Sequence, residues 1–135
     1  ELKPNCEHPV ICLIDELQLQ EPDAQMMGGN MRLGGVVDIL TPVSLVHNIY
    51  RSDRITERHR HRYEVNPAYV DALESGGLKV SAKSEGSGFI DTVELNDHPW
   101  FVGCQFHPEF NSKPLLPHPL FMSFLQAAEN YKDDS

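Results

Sequence analysis

Cysteine is scarce in this chain of 135 residues, which has three, Cys6, Cys12 and Cys104, and no C-x-x-C pair. An odd number without paired spacing argues against a disulfide framework and predicts free thiols in a reducing, cytoplasmic setting. Long apolar runs are missing too, since none approaches the roughly 18 residues of a membrane span. Positive charge is also scarce, because 11 basic side chains face 20 acidic ones and the net charge is −9. That deficit argues against broad electrostatic capture of nucleic acid.

Strand and helix signals alternate along the chain. Its content of apolar residues is ordinary for one globular domain. Strands are predicted over residues 8–14, 35–40, 78–82, 89–95 and 100–106, and helices over 42–50, 67–75 and from Pro119 onward. The run over 8–14 is continuously apolar, which is typical of a strand covered on both faces. Residues 15–27 are polar and predict a loop.

Two boundary signals support the middle helix. Asn66 is a helix-capping residue and Pro67 suits the first helical position, while Gly76 and Gly77 are typical of a helix end. Some of the strands follow one another directly, without an intervening helix. We therefore predict an α/β fold with an open, mixed, mostly parallel sheet and flanking helices.

The strongest candidate for chemistry is His107-Pro108-Glu109, directly after an apolar strand. Proline ends the hydrogen-bond ladder there, and residues two apart face the same side in extended geometry. A carboxylate beside an imidazole can fix its tautomer and stabilise the imidazolium form. The alternative is a histidine that caps a strand end beside a solvated glutamate.

A base of this kind needs a nucleophile, and the sequence offers none in the expected setting. A nucleophilic cysteine or serine in such folds sits on a strained G-x-[CS]-x-G turn, which surrounds none of the cysteines here. Cys12 and Cys104 lie in apolar runs and are predicted to be core thiols. Cys6 lies in a predicted loop, without neighbours that would activate it.

The second candidate is the one dense basic cluster of an acidic chain, Glu57 to Asn66 (ERHRHRYEVN). Alternation in a strand would place Arg58, Arg60 and Arg62 on one face and His59, His61 and Tyr63 on the other. Arginine suits bidentate recognition of a ligand carboxylate. Three alternatives stay open: a metal held by the two histidines, contact with phosphate or RNA, and a structural ion-pair network.

The third candidate, Gly28 to Gly34 (GGNMRLG), lacks the G-K-[ST] of a phosphate-binding loop. A tight turn followed by a core pair of Met31 and Leu33 is the preferred interpretation. Taken alone, this segment indicates no particular chemistry.

Together these segments resemble the C-terminal glutamine amidotransferase domain of the CTP synthase family, within the class I amidotransferases. The resemblance rests on the three stretches GGNMRLG, ERHRHRYEVN and NDHPWFVGCQFHPEF, and on the closing His118-Pro119-Leu120-Phe121. It extends from Glu1 to about Tyr131. It implies that residues 1–135 are the C-terminal half of a glutamine amidotransferase type 1 domain.

In that family a cysteine thiolate attacks the side-chain amide of glutamine and releases ammonia. The resemblance implies that His107 is the general base and acid and that Glu109 orients it. It further implies that Arg62 pairs with the α-carboxylate of glutamine, with the backbone of Tyr63 nearby, and that Glu1 holds the α-amino group.

The remaining parts of the enzyme are expected elsewhere. The resemblance places the cysteine-bearing segment upstream of Glu1, and ATP and Mg²⁺ in a separate synthetase domain that aminates UTP to CTP. We expect no cofactor or metal in this chain, no nucleic-acid or membrane partner, and a cytoplasmic homo-oligomer for the full protein. We also expect no glutaminase activity from the chain alone.

Other hypotheses fit the same residues. The main one is a non-catalytic relative of the amidotransferases that binds glutamine or forms an oligomer contact. The ERHRHRYEVN segment argues against a different class I amidotransferase and against a relative of γ-glutamyl hydrolase.

Overall fold

The computed structural model of the protein describes residues 5–14 and 31–133. The strands in these ranges are β1 (Ile11–Leu13), β2 (Arg32–Leu40), β3 (Arg54–His61), β4 (Tyr63–Val65), β5 (Leu78–Ser84), β6 (Ile90–Leu95) and β7 (Val102–Cys104). The helices are α1 (Leu45–Tyr50), α2 (Val70–Ser75) and α3 (Pro119–Asp133), with 3₁₀ turns at Pro67–Tyr69 and Pro108–Asn111. The predicted loop over residues 15–27 lies outside the described residues.

The larger sheet has five strands in the order β3-β2-β5-β6-β7, and β1 pairs with β4 in a second, two-stranded sheet. The predicted α/β class is confirmed, with helices flanking a central sheet. The direction of the strands differs from the prediction, because every pair formed by the described residues is antiparallel rather than mostly parallel.

Short connections explain two of these antiparallel pairs. Residues 85–89 join β5 to β6, and residues 96–101 join β6 to β7. A parallel pair needs a crossover of about a dozen residues or more, so these links allow only antiparallel neighbours. The order of strand signals along the chain does not reveal this, because it leaves the direction of each strand open.

The inner face of β2 and β3 is polar, which is uncommon for a sheet interior. In the β2–β3 register, Arg32 lies opposite His61, Gly34 opposite His59 and Val36 opposite Glu57. Residues directly opposite each other project to the same face, so charged side chains of both strands meet inside the fold. The predicted alternation in ERHRHRYEVN is confirmed for β3, where Arg58 and Arg60 are exposed and His59 is buried.

An apolar core lies under α1. Leu40, Val46 and Ala82 are its buried centre, and Tyr50, Ile55 and Val102 pack against it. Ser44 caps α1 by accepting a hydrogen bond from the backbone N–H of His47 at 3.0 Å. The buried Glu94 accepts two more from the first helical N–H groups, of Leu45 and Val46. A carboxylate at this end also suits the positive end of the helix dipole.

The predicted boundaries of the middle helix are confirmed. Asn66 accepts a hydrogen bond from the backbone N–H of Ala68 at 3.0 Å, and the chain then forms a 3₁₀ turn followed by α2. Gly76 follows the helix directly, and the next residue, Gly77, has a φ of +97°, which a residue with a side chain rarely adopts.

Three predictions about burial are wrong. Ile11 and Leu13 of the first apolar run are exposed, because β1 has β4 as its one strand neighbour among the described residues. Leu33 is 62% exposed instead of being a core partner of Met31, because β2 turns Arg32 inward instead. Cys104 is exposed rather than a core thiol, since it ends the edge strand β7.

The chain after β7 returns across the sheet to β3. The backbone N–H of His107 donates to the carbonyl of Arg58 at 2.9 Å, so the two outer strands of the sheet approach each other through this segment. The sheet is therefore curled.

Helix α3 packs beside the sheet through Trp100, whose ring contacts Phe124 and whose Nε1 donates to Ser123. Among the residues that the structure describes, no helix has the length and apolar character to cross a membrane.

Candidate active site

His107 and Glu109 form a hydrogen-bonded pair at the surface. The imidazole Nδ1 lies 2.8 Å from Oε1 of Glu109, and the two side chains are 40% and 55% exposed. The predicted contact is therefore present, but its local cause is different. Pro108–Asn111 is a 3₁₀ turn that directly follows His107, so the pair is formed across the start of a turn rather than along an extended strand.

The electrostatics of the pair favour an ionised carboxylate. A hydrogen bond from the backbone N–H of Glu109 and a second one from His107 lower the pKa of the Glu109 side chain. A carboxylate that faces Nδ1 holds the proton on that nitrogen. The other nitrogen, Nε2, is then free to accept a proton from a reacting group.

Arg62 and Tyr63, the predicted glutamine-binding residues, lie at the junction of β3 and β4. The side chain of Arg62 is exposed, and its carbonyl accepts a hydrogen bond from the backbone N–H of Ile14 at 3.0 Å. The carbonyl of Tyr63 accepts one from Nε2 of Gln105 at 2.8 Å. Gln105 stands two residues before His107, so its side chain joins the predicted binding residues to the segment that leads to His107. Glu1 lies outside the described residues.

None of the three cysteines is placed as an activated nucleophile. The thiol of Cys104 points to the carbonyl of Phe106, and burial of the sulfur together with the negative charge of Glu57 and Glu109 raises its pKa to about 11. The residue as a whole is exposed, but its thiol stays protonated at neutral pH. Cys12 is buried, and Cys6 is exposed with its thiol directed at the carbonyl of His8.

A second group of charges lies inside the curled sheet. Arg32 donates to Glu64 at 2.9 Å and binds both oxygens of Asp91, at 2.6 and 2.9 Å. His61 pairs with Glu64 at 2.7 Å. We call this group, together with Asp38 and His59, the buried ionic cluster.

The buried ionic cluster changes the pKa of its members. Burial lowers the pKa of His59 to about 4, with the charge of Arg32 adding to the effect. Burial also raises the pKa of Asp91 to about 6, against the hydrogen bond from Arg32, and it raises the pKa of Asp38. The ring nitrogens of His59 lie 3.8 and 3.9 Å from the two aspartates, beyond hydrogen-bond distance.

Asp38, His59 and Asp91 could each offer one ligand atom to a metal, within 4.8 Å of one another. However, both oxygens of Asp91 already bind the guanidinium of Arg32, which supplies a positive charge at this point. The arrangement is that of a buried ion-pair network, which was one of the alternatives for the basic segment. His61 takes part in it through Glu64, and His59 lies beside it without a hydrogen bond, whereas Arg58, Arg60 and Arg62 are exposed.

Sequence reasoning missed that several charged residues are buried, among them Arg32 and Glu57. Charged side chains are exposed by default, so neither stands out from the printed residues. Glu57 lies 2.7 Å from Nε2 of His118, a residue 61 positions away. Glu57 occupies an inward position in a strand whose residues alternate between buried and exposed, and this position is the signal in the sequence that could have revealed its burial.

The chain matches the family model described as glutamine amidotransferase class-I over residues 8–127. The CTP synthases of Geobacter sulfurreducens and Pelobacter propionicus are each 48% identical over 133 residues, or 98% of this chain. These residues make up 24% of each relative, so the chain spans about a quarter of the length of the curated relatives it matches. A solved structure of the Trypanosoma brucei CTPS glutaminase domain with bound acivicin is similar, with a TM-score of 0.79 and 36% identity. That similarity covers 93% of this chain and 48% of the solved one.

Proposed function

The chain belongs to the class I glutamine amidotransferases, and we propose that it is the C-terminal half of the glutaminase domain of a CTP synthase. In this role it takes part in hydrolysing glutamine to supply ammonia. The observation that carries the proposal is the 2.8 Å contact between His107 and Glu109 on a turn that is anchored to β3. Fold similarity alone would not assign an activity, because one fold supports many functions.

His107 acts as the general base and acid. With Nδ1 held by Glu109, Nε2 takes the proton of the attacking thiol and returns it to the leaving ammonia. Glu109 keeps the imidazole in this tautomer and stabilises its protonated form. The exposure of the pair supports this role, since both side chains remain accessible to a substrate.

Arg62, Tyr63 and Glu1 bind the amino-acid end of glutamine. The exposed guanidinium of Arg62 is free to pair with an α-carboxylate, and the backbone of Tyr63 lies beside it. Gln105 supports this assignment, because its bond to Tyr63 fixes this backbone relative to the strand that leads to His107. Glu1 is assigned to the α-amino group.

The nucleophile is a cysteine outside these 135 residues. The high pKa of the Cys104 thiol and the burial of Cys12 support this view. The proposal extends to an upstream cysteine-bearing segment and a synthetase domain that uses ATP and Mg²⁺ to aminate UTP. No residue of this chain is assigned to either cofactor. The full protein is proposed to be a homo-oligomer in the cytoplasm, where free thiols persist.

The test is ammonia release from glutamine by the full-length protein and by the 135-residue chain. We expect His107→Ala to lower the rate of the full-length protein about 10²- to 10⁴-fold, the usual contribution of a general base. We expect the chain alone to release no more ammonia than its own His107→Ala variant. An unchanged rate in the full-length variant would contradict the proposal. Glutamine binding without hydrolysis in the full-length protein would instead favour the non-catalytic alternative.

A further inference from the structure

The carboxylate of Glu57 gathers donors from three separate elements. Its Oε1 accepts a hydrogen bond from the hydroxyl of Tyr50, the last residue of α1, at 2.8 Å. The same oxygen lies 2.7 Å from Nε2 of His118, directly before α3. Its Oε2 accepts from Nδ2 of Asn111, the last residue of the 3₁₀ turn, at 2.8 Å. Glu57 itself is 3% exposed, so these bonds replace the water that it has lost.

The donors are held in the protonation states that this arrangement needs. The backbone N–H of Leu120 donates to Nδ1 of His118 at 3.2 Å, so in the neutral ring the proton lies on Nε2 and points at Glu57. Burial and the charge of Glu57 raise the pKa of Tyr50, which therefore remains a donor. Burial would raise the pKa of Glu57, but the bonds from His118, Tyr50 and Asn111 outweigh it and lower that pKa.

These contacts attach the turn of Glu109 to β3 at both ends. At the start of the turn, the backbone N–H of His107 donates to the carbonyl of Arg58 at 2.9 Å. At its end, Asn111 donates to the side chain of Glu57, the strand neighbour of Arg58. Glu109 lies between the two attachments, and its exposed side chain depends on the backbone of the turn for its position.

We propose that Glu57 is a positioning residue for glutamine hydrolysis, which holds the 3₁₀ turn so that Glu109 stays in hydrogen-bond contact with His107. This inference rests on the proposed function, because it assigns to Glu57 an effect on the same proton transfer. Glu57 does not touch the substrate. Its effect is transmitted through Asn111 and the backbone of the turn, and a shift of about 1 Å at such a site can lower a rate by roughly a hundredfold.

Substitutions can break the hydrogen bond between Glu57 and Asn111, and a double substitution can restore it with the donor and the acceptor exchanged. In Glu57→Gln, an amide that still accepts from Tyr50 and His118 turns its NH₂ toward the NH₂ of Asn111. That NH₂ also donates to the carbonyl of Thr56 at 3.4 Å, which holds its orientation, so two donors meet. In Asn111→Asp, two carboxylates face each other instead. The double variant Glu57→Gln/Asn111→Asp restores one donor and one acceptor at the same positions. A positioning role therefore predicts loss in each single variant and recovery in the double variant.

The experiment measures kcat and KM for glutamine hydrolysis by the full-length protein and these three variants. We expect each single variant to lose about 10- to 100-fold in kcat, with KM within about threefold. We expect the double variant to recover at least about tenfold over either single one. Ser81→Ala is the control, because it removes a buried hydroxyl bond to Thr92 away from the turn, and it should keep kcat within about twofold.

Synthesis of CTP from added ammonia separates positioning from folding, since it bypasses glutamine hydrolysis. The inference requires this synthesis to be retained in all variants. It is overturned if the single variants keep full kcat, if the double variant recovers nothing, or if synthesis from ammonia falls in parallel with hydrolysis. If His107→Ala in the same protein keeps full hydrolysis, the proposed function itself fails, which is a different result from failure at Glu57 alone.

Discussion

Two groups of histidine and carboxylate side chains in this protein lie in opposite environments, one exposed to solvent and the other buried. His107 and Glu109 lie at the surface, 2.8 Å apart, and the pKa of Glu109 is lowered. His59 lies inside the curled sheet at 3.8 and 3.9 Å from two aspartates, and its pKa is lowered to about 4. The same residue types can therefore exchange protons in the first group, whereas the second group is closed to solvent.

The comparison teaches that a histidine and a carboxylate do not by themselves make a proton-transfer site. Whether such a pair can transfer a proton depends on its exposure to solvent and on the distance between its two side chains. The sequence shows neither of these. The buried ionic cluster affects the free energy of unfolding, because removing one charge leaves another without its partner inside the protein. The exposed pair contributes little to stability, and its proposed role is in catalysis.

The largest expected effect is loss of stability from Arg32→Met. The substitution leaves Asp91 and Glu64 buried without the guanidinium that binds them. We expect the free energy of unfolding to fall by about 3–5 kcal/mol, the usual cost of breaking a buried ion pair. Urea unfolding of the chain, followed by fluorescence of its single tryptophan, Trp100, measures the change.

Arg58→Met is the matched control for Arg32→Met, since Arg58 is an exposed arginine of the neighbouring strand. We expect it to change stability by no more than about 0.5 kcal/mol. Equal losses from both substitutions would contradict the distinction between the two regions.

An intermediate effect is expected from Glu109→Gln, which keeps the shape of the side chain and removes its charge. The imidazolium of His107 then loses its stabilising partner, so we expect kcat for glutamine hydrolysis by the full-length protein to fall about 10- to 100-fold. The urea midpoint of the chain should stay unchanged, because the side chain is exposed. A loss of stability without loss of kcat would reverse the roles assigned to the two regions.

The remaining effect depends on pH and is expected from His59→Leu. A folded-state pKa of about 4 lies below the ordinary value of about 6.5, so between these values the unfolded chain binds more protons at this residue. His59 therefore makes stability rise with pH in this window. Without it, the stability of the variant relative to the unsubstituted protein should fall as pH rises from 4 to 6.5, by up to about 1.4 kcal/mol per unit.

Asp91→Asn is expected to change the pH dependence of stability in the opposite direction to His59→Leu. The folded-state pKa of Asp91, about 6, lies above its ordinary value of about 3.9, so Asp91 makes stability fall as pH rises between them. Its removal should make relative stability rise with pH from 4 to 6. Urea unfolding at half-unit pH steps measures both variants. Profiles parallel to that of the unsubstituted protein would contradict the pKa shifts of the buried ionic cluster.

Several features could be predicted because they depend on neighbours in the chain. Asn66 and Pro67 marked a helix start, and the alternation from Arg58 to Arg60 placed each side chain on the correct face of β3. The spacing of His107 and Glu109 predicted their contact, although a 3₁₀ turn rather than an extended strand brings them together. Signals of this kind act over a few residues, where backbone geometry sets the direction of each side chain.

Other features were decided by the tertiary structure. Arg32 meets Asp91 across 59 positions, and Glu57 meets His118 across 61. No local pattern selects these partners, and a charged residue is exposed unless a particular fold provides its counter-charge. The sequence alone determined which face of β3 points inward and where His107 and Glu109 stand in the chain. The curled antiparallel sheet decided which charges meet inside and what holds the turn of Glu109, because burial and pairing depend on contacts between distant segments.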